Sequence, residues 1–211
     1  MKVLLVNGSS KNNGNTADAL KTVGEQLAKE GIDTELFNVG VLPIRDCIGC
    51  GKCSEAGCIF KDDICNAFIE KAREADAFIF GTPVYYAHAS GRLLCLMDRA
   101  FYAAGDAFRY KPATSLVVAR RAGTTSALDD LNKYMTETEM PLISSSYWNA
   151  AFGRMPHEVE EDAEGMQTLR NLGRNMAWIL KSIEAGRNAG ISRPESESGA
   201  RTHFIRQPAG E

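Results

Sequence analysis

Short apolar runs alternate with amphipathic stretches along most of the chain, and this alternation restricts the fold more than any other feature. Residues 2–6 (KVLLV), 34–39 (TELFNV), 77–80 (AFIF), 115–119 (SLVVA) and 141–144 (PLIS) are short and rich in branched-aliphatic or aromatic side chains, which predicts five strands. Between them, residues 16–30, 64–75, 90–103 and 125–138 carry apolar side chains three and four apart, and a long helix is predicted over 160–185. In the first of these helices Ala19, Leu20, Val23 and Leu27 share one face, and Gly31 stands where a helix stops. Strands joined through helices imply right-handed crossovers and a mostly parallel sheet. The expected fold is therefore α/β: a flavodoxin-like doubly wound five-stranded parallel sheet with helices on both faces. Ligands of such sheets sit outside the carboxyl ends of the strands. The loops after the first, third and fourth strands are thus expected to carry the site.

A chain of 211 residues accommodates one substantial domain, expected over residues 1–185. From residue 186 to 211, Gly, Ser, Arg and Glu dominate, which reads as an extended tail; Phe204 and Ile205 stand out in it, and docking on a partner subunit and plain disorder are the two open readings. The net charge of −3 argues against nucleic acid or an anionic membrane as a partner, since both require a basic face. The opening MKVLLVNGSS is too short an apolar run for a secretory signal or a membrane span, so a cytoplasmic location is expected. Thiols stay reduced there, and the six cysteines are not expected to form a disulfide framework.

The loop after the first strand is NGSSKNNGNT, residues 7–16. It leads into a helix start. Ser9, Asn13, Asn15 and Thr16 offer short hydrogen-bonding side chains, and Lys11 adds a positive charge. Convergent donors at the positive end of a helix dipole suit a phosphate. The spacing fits neither a Walker A loop nor G-x-G-x-x-G. A plain polar loop with Asn15 as helix cap is the alternative use of the same residues.

This loop resembles the G-S-x-[RK]-x-x-G-N-T loop of the NADPH-dependent FMN reductase family, which includes the iron-sulfur flavoproteins. A second block, GTPVYYAHASGRLLCLMDR over residues 81–99, is similar to G-[ST]-P-V-Y-x(4)-[SP]-[AG]-x-L-K-x-[FL]-[IM]-D-R in those proteins, with Leu94 in place of the lysine and Cys95 next to it. The resemblance implies noncovalent FMN and NAD(P)H as co-substrate. It implies electrons passed to a quinone, an azo or nitro compound, a free flavin or a redox protein, and a homodimer or homotetramer. It places Thr82, Pro83, Val84, Tyr85 and Tyr86 against the isoalloxazine ring, a flat amphipathic group that wants apolar and aromatic surface. In ARRAGTT after the fourth strand, Gly123 and either Arg120 or Arg121 are expected to approach the same pocket, Arg121 being the candidate for the pyrimidine edge or a nicotinamide phosphate; a solvated arginine pair at a helix start is the alternative. No catalytic side chain is expected, because the cofactor carries the chemistry, and His88 is expected to serve the structure. An electron carrier with no substrate of its own is the rival reading.

The remaining motif is CIGCGKCSEAGC, which places Cys47, Cys50, Cys53 and Cys58 at C-x2-C-x2-C-x4-C. A structural zinc site, an iron–sulfur cluster, or free thiols on a flavin-side loop are the open readings. The spacing approaches the compact C-x2-C-x2-C-x3-C run of cluster proteins. The resemblance adds that iron-sulfur flavoproteins carry a compact cysteine motif here, which would make these four residues ligands of a [4Fe-4S] cluster.

Overall fold

The computed structural model describes residues 1–200 and 202 of the chain. Its elements in order are β1 (Lys2–Asn7), α1 (Asn15–Lys29), β2 (Asp33–Asn38), α2 (Cys65–Glu74), β3 (Ala77–Tyr85), β4 (His88–Ala89), α3 (Gly91–Ala104), β5 (Ala113–Ala119), α4 (Thr124–Glu137), β6 (Ala150–Phe152) and α5 (Ala163–Asn188). The main sheet runs β2-β1-β3-β5-β6 with every neighbouring pair parallel. Setting aside β4, which pairs antiparallel with β3 as a hairpin, this is the flavodoxin-like strand order.

Each central strand divides its side chains between two cores. Leu4 and Val6 of β1, with Phe78 and Phe80 of β3, face α2 and α3, where Phe68, Phe101 and Phe108 join them. Val3 and Leu5, with Ala77 and Ile79, face α1 and α5 through Leu20, Val23, Leu27, Leu169 and Met176. Side chains of successive strand residues point to opposite faces, so a strand buried on both sides reads as a continuous apolar run. Aromatic packing fills the first core: the Phe101 and Phe108 rings stack at 4.1 Å.

The predicted fifth strand needs correction. Residues 141–144 contribute only a parallel bridge between Leu142 and Ala113, closed by the Ile143 N–H on the Ala113 carbonyl at 2.9 Å. The chain then leaves the sheet and returns as β6, paired with Val117–Ala119. From Ala113 to Val117, β5 advances four residues while its neighbour advances eight, from Leu142 to Ala150. The surplus loops out and carries Tyr147 and Trp148 to the surface. Helix α5 also starts later than residue 160, because residues 158–161 form a 3-10 turn. Asp162 then caps α5, accepting from the Gly165 N–H at 2.9 Å.

Past α5 the chain has no regular structure through residue 200, and Ser196 donates to Glu139 of the same chain at 2.6 Å. Phe204 and Ile205, with the docking considered for them, lie outside the described residues. No helix among the described residues is long and apolar enough to cross a membrane.

Candidate functional site

The loops after β1, β3 and β5 lie side by side because these strands are neighbours in the sheet. Two close approaches lock them together. The Gly8 N–H donates to the Gly81 carbonyl at 2.8 Å, carrying the β1–β3 ladder into the loops. Gly123, with φ of +86°, packs so tightly on the β3–β4 hairpin that a Cβ there would lie 2.6 Å from the Ala87 Cα.

The first loop is shaped by a residue that the sequence reading passed over. Asn7 is fully buried at the end of β1; its side chain accepts from the Ser9 N–H at 3.1 Å and donates to the Lys11 carbonyl at 3.1 Å and to Asn38 at 2.9 Å. Its signal was the Asx-type turn that asparagine favours directly before a glycine-containing loop. The Ser9 hydroxyl accepts from the Lys11 N–H at 3.1 Å, which curls the loop toward the start of α1. Lys11 and Asn13 are exposed there. Thr16 is 4% exposed, and among the described residues no protein group hydrogen-bonds its hydroxyl. The opening N–H groups of α1 have no partner within the helix, as at any helix start. Asn15 departs from the capping alternative, since the cap position falls on Gly14, and its side chain is engaged by protein. Its side chain donates to the Met155 carbonyl at 2.9 Å and accepts from the Val159 N–H at 3.3 Å, so it anchors the β6–α5 connection onto α1. His157 adds a second anchor, 3.0 Å from Asp18.

In the second loop the Thr82 side chain is also committed elsewhere. It is fully buried, donates to the Pro83 carbonyl at 2.9 Å and accepts from the Ser90 N–H at 2.9 Å, so it holds the hairpin and has no surface for a ligand. Pro83 and Val84 are half-buried, and Tyr85 and Tyr86 stand exposed at the tip, Tyr86 completely. Tyr86 and Ala87 turn the hairpin with φ of +50° and +61°, the two left-handed residues of a primed two-residue turn. His88 lies 3.3 Å from Asp130, whose carboxylate also accepts from the Ala89 N–H at 3.1 Å, consistent with a structural role. Arg120 and Arg121 are exposed above the end of β5.

The cysteine loop follows β2. Gly49, Gly51 and Gly57 take φ of +61°, +63° and +89°, so the backbone wraps back on itself. Asn66 at the start of α2 ties off its end, accepting from the Cys58 N–H at 2.8 Å and donating to the carbonyls of Cys58 at 3.0 Å and Phe60 at 2.7 Å. Cys47, Cys50, Cys53 and Cys58 line one pocket with Arg99 and Tyr102. Cys47 and Cys50 are exposed, Cys53 is half-buried and Cys58 buried. Burial, then the nearness of the other three thiols, pushes the Cys53 thiol above its ordinary range. Cys65 is fully buried on α2, and burial pushes its thiol up to about 12, an inert structural position.

Arg99 is the second residue that the sequence reading left without a role. It stands on α3, 2% exposed, and pairs with Asp63 while its Nε–H points at Cys58 Sγ at 3.4 Å. Burial alone would raise the Asp63 carboxyl; the Arg99 hydrogen bond and the N–H groups of Arg45 and Cys65 outweigh it and hold it below the usual carboxylate range. The aspartate–arginine pair that ends the second motif was the available signal, but a motif alone does not say which way a side chain faces.

The sulfur spacing bears on which group this loop suits. Among the described residues no three thiol sulfurs lie within 4.8 Å of one another; the one trio of ligand atoms that close is Asp18, His157 and Glu160. A tetrahedral zinc with bonds of about 2.3 Å brings its sulfurs to about 3.8 Å apart. Among the described residues the four sulfurs are therefore not drawn up around a single tetrahedral ion.

A model of the NADPH-dependent FMN reductase family matches residues 1–154. An iron-sulfur flavoprotein of Methanocaldococcus jannaschii is 31% identical over 193 residues, covering 87% of this chain and all of that protein. An FMN-dependent NADPH-azoreductase of Staphylococcus saprophyticus is 31% identical over 114 residues, 53% of this chain and 57% of that protein. Among solved structures, a WrbA-like flavodoxin of Agrobacterium tumefaciens shares the fold with a TM-score of 0.59 at 17% identity, covering 86% of this chain and 98% of that one. The chain belongs to the NADPH-dependent FMN reductase family of flavin-dependent oxidoreductases and is related to iron-sulfur flavoproteins.

Proposed function

We propose that the chain is an FMN-dependent oxidoreductase that takes electrons from NAD(P)H and delivers them to a small-molecule or protein acceptor, with a [4Fe-4S] cluster held by Cys47, Cys50, Cys53 and Cys58. The observation that carries this reading is the convergence of those four residues on one pocket, in a chain whose β1, β3 and β5 loops meet at the carboxyl end of the sheet. Bound FMN supplies a junction between two-electron donors and one-electron carriers, and an iron–sulfur cluster is such a carrier.

The chain's own residues bind and orient. Ser9, Lys11, Asn13 and Thr16, with the first amides of α1, offer donors and positive potential to a phosphate, and the free Thr16 hydroxyl is the donor best placed to be used. Asn15 serves by fixing the neighbouring connection. Pro83 and Val84 give an apolar wall, Tyr85 and Tyr86 aromatic surface, Gly123 close backbone approach, and Arg121 a cation for an anionic ring edge or a nicotinamide phosphate. The exposed Tyr86, Tyr147 and Trp148 suit coverage by a second copy, so the working unit is proposed to be a homodimer or homotetramer. The working domain, expected over residues 1–185, runs through the end of α5 at Asn188, the tail beyond it serves assembly, and the location is cytoplasmic.

The test is an absorption spectrum and iron analysis of protein reconstituted without oxygen. A flavin spectrum overlaid by a broad cluster band, with about four irons per chain, is expected. Flavin without iron sinks the cluster; neither sinks the whole reading. A second reading, a reductase whose cysteines are free thiols, is favoured by the exposure of Cys47 and Cys50 and by the azoreductase relative. Steady-state turnover with NADPH and a quinone, in iron-free protein, supports that alternative.

A further inference from the structure

Arg99 carries an unusual load for a helix residue in a core. Its side chain is 1% exposed, and a guanidinium buried that far persists only when its donors are taken up. Asp63 neutralises it, with its own side chain 3% exposed. The remaining donors go to the two ends of the cysteine loop: Nη1–H to the Arg45 carbonyl at 3.3 Å, before Cys47, and Nη2–H to the Phe60 carbonyl at 3.4 Å, after Cys58. Nε–H reaches Cys58 Sγ at 3.4 Å. One planar fork therefore spans the base of the loop and touches a sulfur inside it. The Arg45 guanidinium does not compete for Asp63, because it pairs with Asp62 on the surface, while the Arg45 backbone N–H donates to Asp63 at 3.0 Å and helps hold it in place.

We infer that Arg99 is a positioning residue for the cluster, an inference that rests on the cluster reading above: it closes the loop around the metal and, by donating to Cys58 Sγ, makes the cluster easier to reduce. The physical reason is that outer partners orient ligands, and hydrogen bonds to ligand sulfur withdraw electron density, which stabilises the reduced, more negative state. Asp63 holds the fork in orientation from the side away from the sulfur.

The experiment compares anaerobically reconstituted wild type, R99K and the double variant R99Q/D63N, which removes both members of the buried pair. Iron per chain and the cluster midpoint potential, from an optical or EPR-monitored titration, are read; bound FMN serves as the fold control. Both variants are expected to hold iron about 10–100-fold more weakly, as when other outer-shell partners are removed. Whatever cluster they retain is expected to have a more negative midpoint. An R99K that binds FMN but loses its iron entirely supports the positioning role. Wild-type iron content with an unchanged or more positive midpoint in R99K overturns the inference while the cluster reading stands, and Arg99 is then a structural staple. Wild-type protein that takes up no iron overturns both. A double variant that binds no FMN leaves the decision to R99K, whose conservative change keeps the charge.

Discussion

At the residue scale, position and role separate even where the motif is correct. Thr16 and Asn15 are adjacent in one motif, but one hydroxyl is free while the other side chain is engaged by the β6–α5 connection. Their substitutions should therefore diverge. Thr16→Val should weaken FMN about tenfold by fluorescence titration, since a hydrogen bond to a charged group is worth about 1.5 kcal/mol or more, and leave the melting temperature nearly unchanged. Asn15→Ala should instead destabilise the fold by about 1–2 kcal/mol in denaturant unfolding, because it leaves the Met155 carbonyl and Val159 N–H without their partner. Equal effects of the two changes on FMN affinity would return Asn15 to the phosphate. The motif supplied the residues; which of them face a ligand depends on residue 155, far along the chain.

At the element scale, the β3–β4 hairpin was hidden because its turn, Tyr86–Ala87, contains neither glycine nor asparagine, the residues that mark primed turns. Ala87 takes a left-handed conformation there that costs a residue with a Cβ about 1–2 kcal/mol, in part offset by the flexibility that glycine adds to the unfolded chain. Ala87→Gly should thus stabilise the protein by up to about 1 kcal/mol, seen as a raised melting temperature. Gly123→Ala should do the reverse and also lower FMN affinity. Its new Cβ would press on the Ala87 backbone in a strained φ and push the second and third loops apart. A Gly123→Ala protein with wild-type stability and affinity would mean that the contact yields freely. The split edge strand has a similar origin, since SLVVA announces its own burial but nothing in PLIS reveals that its neighbour must loop out before resuming.

At the scale of the whole molecule, Lys111 links the β5 edge to α2 by donating to the Ala72 carbonyl at 2.8 Å and the Arg73 carbonyl at 3.3 Å. Burial, helped by the positive charge of Arg193, pushes its amine down to about 8. An unfolded lysine titrates near about 10.4, so between these values the unfolded chain binds more protons than the folded one. Stability contributed through Lys111 therefore rises with pH across that window, and its cost is fully present below it. Denaturant unfolding at pH 8 and pH 10 should show this rise in wild type relative to Lys111→Met, which cannot titrate; parallel pH profiles for the two proteins would refute it. The proposed assembly is also tested at this scale: light scattering at micromolar concentration should show at least a dimer, and a monomer would refute it.

Sequence by itself determined the fold class, because each central strand is buried on both faces and so appears as an uninterrupted apolar run, as in KVLLV and AFIF. It also determined that the loops of β1, β3 and β5 gather at one end of the sheet, since strand–loop–helix order with parallel strands places them there. Tertiary structure alone decided what each side chain there is free to do. Asn7 bends the first loop from within, Thr82 turns inward to the Ser90 N–H, and Asn15 is taken by a connection some 140 residues away. Arg99 faces Cys58 across a separation of 41 residues. Local sequence reports burial and turn preference because those arise from neighbouring residues. A buried polar group is satisfied by whichever partner packing brings within about 3 Å, and that partner is set by the fold.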